Sequence, residues 1–126
     1  MKLLMCLGAG AVAATTLIVA TAPIAAQTAP PPAFAACRAC HMVDNSGKNG
    51  VGPNLHGVVG RVAGAAPGFA YSPALKGSKL RWDAATLDQF IAAPGKKVPG
   101  TRMPIGMADP AKRAAIIAWL TAESAK

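Results

Sequence analysis

The chain has 126 residues and a mass of 12.6 kDa, which limits it to one small domain. Lysine and arginine total 13 against 5 acidic residues, a net charge of +8, yet only 14% of residues are charged and they form no dense run, so a basic nucleic-acid-binding arm is a poor fit. With 13 glycines and 11 prolines the chain predicts short elements joined by ordered loops rather than a long helical bundle, and three cysteines, at positions 6, 37 and 40, do not make a disulfide framework.

The N-terminus reads as a secretory signal over residues 1–26. Met1-Lys2 is followed by an uncharged, Leu/Ala/Val-rich stretch that ends in Ile24-Ala25-Ala26. Cleavage is expected after Ala26, because Pro23 disfavours the alternative after Ala22. The rival reading is an uncleaved anchor, since Leu3–Ala20 approaches the roughly 20 residues that span a bilayer. Cys6 falls inside this segment and leaves with it. Residues 27–33 form a Pro-rich lead-in, and residues 34–126 form the domain. Beyond Ala26, large apolar side chains are sparse for a chain of about 100 residues, so a buried cofactor is expected to complete the core.

A short helix is predicted from Phe34 to Met42. It carries Cys37-Arg38-Ala39-Cys40-His41, the C-x-x-C-H signature of covalent haem attachment. Positions i, i+3 and i+4 share one helix face, so two thiols can reach the vinyl groups of one haem while the imidazole faces its iron. A thioredoxin-like pair would need a preceding strand, where the sequence has Pro30-Pro31-Pro32. Zinc would need four ligands, and only Cys37, Cys40, His41 and His56 are present, in an unsuitable order. A disulfide would leave His41 unexplained.

Further along, Asp83 is placed to cap a helix running to about Ala93, with Leu87, Phe90 and Ile91 on its apolar face and Pro94 as its stop. Asp109-Pro110 caps and opens a last helix to about Ala122, with Ile116, Ile117 and Leu120 as one stripe. The pattern is all-α, and no segment alternates like a substantial sheet. For a sixth iron ligand, Met42 adjoins His41 and cannot reach the opposite side, which leaves Met103 and Met107.

From Phe34 onward the sequence resembles the class I cytochrome c family, in the mitochondrial cytochrome c and bacterial cytochrome c2 group. The resemblance rests on the C-x-x-C-H segment, Gly52-Pro53-Asn54-Leu55-His56-Gly57, Gly60-Arg61, Ala66-Pro67-Gly68-Phe69-Ala70-Tyr71, Trp82 and Val98-Pro99-Gly100-Thr101-Arg102-Met103. It implies the small cytochrome c fold, three to five short helices and long ordered loops around one haem c bound through Cys37 and Cys40. It also implies axial ligation by His41 and Met103, with Met107 left to packing. The Pro53 carbonyl is expected to accept the free ring N–H of His41, and Thr101 to bond near the haem or the ligand loop. Arg61, Tyr71 and Trp82 match positions that hold the haem propionates, and His56 matches a peripheral loop residue. Trp119 is expected to meet Phe34. Two departures stand out: Phe90 and Leu75 occupy positions where the family usually has Tyr and Asn, so a polar network beside the methionine is expected to be reduced.

The function implied is not enzymatic. It is that of a monomeric periplasmic electron carrier, moving single electrons from a quinol–cytochrome c reductase of the bc1 type to a terminal oxidase or photosynthetic reaction centre. Lys48, Lys76, Lys96, Lys97 and Arg102 resemble the basic rim that docks acidic partners, while Lys112, Arg113 and Lys126 read as solvated charges. Two other functions compete. One is a haem enzyme or gas sensor with an open sixth site, disfavoured because no acid–base pair accompanies the motif. The other is an electron-entry subunit of a larger enzyme.

Overall fold

The computed structural model describes residues 29–126. The expected signal segment, its cleavage point and Cys6 lie outside the described residues. Among these residues the secondary structure is a 3-10 turn, Pro32–Phe34, followed by five helices: α1 (Ala35–Arg38), α2 (Pro73–Gly77), α3 (Ala84–Ala92), α4 (Pro94–Lys97) and α5 (Pro110–Ser124). The sole extended pairing among them is an isolated antiparallel bridge between Val62 and Arg81. The all-α expectation therefore holds.

Three helices start on the same device. Asp83 accepts from the Thr86 amide at 2.7 Å, Asp109 accepts from the Ala111 and Lys112 amides, and the Ser72 hydroxyl accepts from the Leu75 amide at 3.2 Å. Each side chain satisfies a backbone donor that the first helical turn leaves unpaired. In α2 and α5 a proline follows the cap, where its missing N–H costs nothing. The Ser72-Pro73 pair carried the same signal as Asp109-Pro110, and α2 was not anticipated from it.

Two helix limits differ from the expectation. The N-terminal helix is displaced: a 3-10 turn begins at Pro32 and α1 ends at Arg38. No i→i−4 bond follows that of His41, and the Cys40 carbonyl accepts instead from the Gly52 amide at 2.8 Å. The turn still continues far enough for His41 N–H to reach the Cys37 carbonyl at 2.9 Å, which keeps Cys37 and His41 one helical turn apart. Pro94 does end α3, but it also opens α4, since proline suits a first helical position.

The core lies where α5 crosses the N-terminal turn and α3. Phe34 and Ile116 are fully buried, and Leu87, Phe90, Ile117, Trp119 and Leu120 surround them. Phe34 and Trp119 meet with ring centroids 4.5 Å apart, the expected pair, and Trp82 and Phe90 meet at 4.9 Å. Leu75 is buried beside them, so both apolar departures from the family pattern are core residues. Among the described residues no helix is long and apolar enough to cross a membrane.

Candidate haem site

His41 is held by a hydrogen bond to the backbone of the following loop. Its Nδ1 lies 2.7 Å from the Pro53 carbonyl oxygen, which can only accept, so Nδ1 carries the proton and Nε2 keeps its lone pair free. Burial pushes the His41 pKa below its ordinary value, against the pull of the Pro53 carbonyl, and so favours the neutral ring. The chain reaches Pro53 through a tight return. A Cβ on Gly52 would stand 2.4 to 2.9 Å from three atoms of the imidazole, and one on Gly50 would stand 2.5 Å from the Cys40 carbonyl oxygen. Only glycine lets the backbone pass so close to the motif.

Cys37 and Cys40 are both half-buried free thiols, not joined to each other. Burial pushes the Cys37 thiol up, with a smaller contribution in the same direction from Cys40. Among the described residues no three of His, Cys, Asp and Glu gather as a metal cage.

The loop after His41 is organised by Asn54, a buried residue the sequence reading did not single out. Its Nδ2 donates to the carbonyls of Asp44 and Lys48, and its Oδ1 accepts from the His56 amide. Its own amide donates to Asn49 Oδ1 at 2.9 Å. The signal that could have found it is a lone Asn between Pro53 and Leu55, where a buried amide can serve several backbone groups. His56 takes part through its backbone: its carbonyl accepts from Arg61 Nη1 at 3.1 Å.

Arg61 carries the clearest sign of a missing partner. Nη1 and Nη2 donate to the carbonyls of His56 and Asn54, at 3.1 and 2.8 Å, but Nε is buried and has no acceptor. A buried unpaired donor on a cation is costly, and a carboxylate such as a haem propionate would satisfy it. Tyr71 holds the adjoining loop by accepting from the Ala66 amide at 3.2 Å, which leaves its phenolic proton available. Trp82 is buried at 7% exposure. The residues present thus fit a haem: a neutral imidazole with a free nitrogen, two thiols one turn apart, and an unspent buried donor.

Met103 and Met107 are both half-buried against the core. Thr101 turns the chain before Met103 by donating its amide to Val98 O at 3.0 Å, and its hydroxyl lies 3.5 Å from the Met103 amide. Lys48, Lys76 and Lys96 are exposed, whereas Lys97 is tied to Gln89 Oε1 at 2.6 Å and Arg102 to the Ala70 carbonyl at 3.1 Å. Arg113 is not a solvated charge. It is 11% exposed and paired with Asp88 at 2.7 Å, because three acceptors converge on it.

No family model matches the chain. It is 53% identical over 89 residues to cytochrome c2 of Rhodoblastus acidophilus, covering 70% of this chain and 83% of that one. It is 48% identical over 95 residues to cytochrome c2 iso-1 of Magnetospirillum molischianum, covering 73% and 94%. Among solved structures it is similar to cytochrome cH from Methylobacterium extorquens, with a TM-score of 0.66 and 56% identity over 71% of this chain and 90% of that one. With that identity, that coverage and the helices and motif described above, the chain belongs to the class I cytochrome c family, in its bacterial branch.

Proposed function

We propose that this c-type electron-carrier cytochrome works in the periplasm, taking single electrons from a quinol–cytochrome c reductase and passing them to a terminal oxidase or reaction centre. The observation that carries the reading is the His41–Pro53 bond, which fixes the imidazole with a bare nitrogen beside two half-buried thiols. When bound, a haem supplies a one-electron iron couple. The chain's own residues do the rest.

Cys37 and Cys40 hold the group by thioether bonds, independently of the thin core. His41 provides the imidazole ligand, oriented by Pro53, since such outer partners set ring angle and basicity. Met103 provides the second ligand, a soft thioether that favours the reduced iron and raises the potential. Arg61 Nε, with Tyr71 and Trp82, neutralises and hydrogen-bonds the propionates. Thr101 shapes the loop that carries Met103. Exposed Lys48, Lys76 and Lys96 steer acidic partners, with Lys97 and Arg102 less free to do so because each already serves an acceptor. Residues 1–26 act as an export signal, and residues 34–126 as the haem domain.

The test is expression of the full chain in a bacterium that attaches haem after export. The reading expects one haem per chain that survives denaturation, a reversible one-electron titration, and oxidation by membranes that contain an oxidase. Haem lost on denaturation would contradict the attachment. A protein that keeps its haem yet exchanges no electrons with such membranes would contradict the carrier role.

A further inference from the structure

Arg113 stands in the first turn of α5, where the helix dipole disfavours a cation. What holds it there is a set of three acceptors from two other parts of the chain. Nε donates to Asp88 Oδ1 on α3 at 2.7 Å, and Nη1 donates to the carbonyls of Met107 and Ala108 at 3.0 and 2.7 Å. The arginine side chain is 11% exposed and Asp88 45%, so the pair is partly shielded from water. Met107 is fixed from its other side too, its amide donating to Ile91 O at 2.8 Å. Just before it, Gly106 lies so close to the end of α3 that a Cβ would stand 2.8 Å from Ala92 O and 3.1 Å from Pro94 Cδ.

The segment that carries Met103 is therefore a bridge with two feet. Its first foot is Thr101 and Arg102, the latter bonded through an exposed guanidinium to Ala70 O. Between the feet Ile105 is 66% exposed and gives little packing of its own. The second foot is Gly106 to Ala108, pressed onto α3 and clasped by Arg113.

We propose that Arg113 is a positioning residue for the methionine ligand: its planar fork joins α3, α5 and the end of the Met103 loop, and so sets how often that loop opens. This rests on the reading of Met103 as the sixth ligand. The fork is required because a lysine can face Asp88 but cannot also serve two carbonyls in one plane.

The experiment uses the haem-bearing full protein and its Arg113→Gln and Arg113→Lys variants. It reads amide hydrogen exchange at Met107, carbon monoxide uptake by the reduced protein, and the global unfolding midpoint. Arg113→Gln is expected to speed both Met107 exchange and carbon monoxide uptake about tenfold, the factor corresponding to roughly 1.4 kcal/mol, while exchange at Ile117 in mid-α5 follows global stability only. Arg113→Lys is expected to recover the unfolding midpoint through Asp88 but not the slow Met107 exchange. If exchange at Met107 is unchanged in Arg113→Gln, or if lysine restores it together with the midpoint, the clasp is overturned. Faster exchange without faster carbon monoxide uptake would uphold the clasp and overturn Met103 as the ligand it serves.

Discussion

The His41 ring occupies the space that a side chain on Gly52 would need: a Cβ there would stand 2.4 Å from Cε1 and 2.7 Å from Nδ1. The same ring nitrogen bonds Pro53, one residue on. Gly52→Ala must therefore push the imidazole off its carbonyl or shift the backbone, at a cost of about 1–3 kcal/mol. Haem incorporation per chain and the unfolding midpoint should both fall. Gly77→Ala, in α2 with open space around the site, should be neutral or stabilising by up to about 1 kcal/mol.

The cap of α3 predicts a pH dependence. The Thr86 amide holds the Asp83 carboxyl below its ordinary pKa, so this group stabilises the fold when ionised. Asp83→Ala should lower the unfolding midpoint at neutral pH. The difference from the native chain should be full above the ordinary carboxylate pKa, shrink as pH falls from there toward the depressed pKa, and be lost below it. A difference that grows on acidification would give the opposite sign and refute the cap's role.

What could be read in advance divides along physical lines. Asp83, Asp109-Pro110 and the Phe34–Trp119 pair were legible because caps and apolar spacing act locally or follow a strong resemblance. The limit of the first helix was not legible because the chain after the motif pairs with a distant return, Gly52 to the Cys40 carbonyl and Leu55 to the Met42 carbonyl, which sequence spacing does not reveal. Arg113 was read as solvated because its acceptors, Asp88 and two loop carbonyls, converge only once α3 and α5 cross. Asn54 escaped notice for the same reason: its partners are backbone groups that sequence spacing does not reveal.

The basic rim can be dissected by salt. Lys96 is exposed, whereas Lys97 is half-buried and bonded to Gln89. Lys96→Glu should slow electron transfer to an acidic partner more than Lys97→Glu does, with little change in stability. The slowing should fade as salt rises, because the Debye length falls from about 10 Å at 0.1 M to about 3 Å at 1 M. Stopped-flow rates across that range check it, and a rate unaffected at low salt would place Lys96 outside the docking face.

Export is tested by the mass of the purified haem protein. Cleavage after Ala26 leaves Gln27 at the N-terminus, with haem found only on the exported form. Haem-bearing protein that retains Met1 and sediments with membranes would establish the anchor instead.

The central claim is that Met103 completes the iron's ligation. Leu nearly matches Met in volume and apolarity, so Met103→Leu should cost less than about 1.5 kcal/mol in packing while removing the sulfur lone pair. The deciding measurement is the weak red methionine–iron absorption band of the oxidised protein, recorded for Met103→Leu and Met107→Leu side by side. The band should vanish in the first and persist in the second, with haem retained in both through Cys37 and Cys40. A band that survives Met103→Leu and disappears in Met107→Leu, or survives in both, would contradict the assignment.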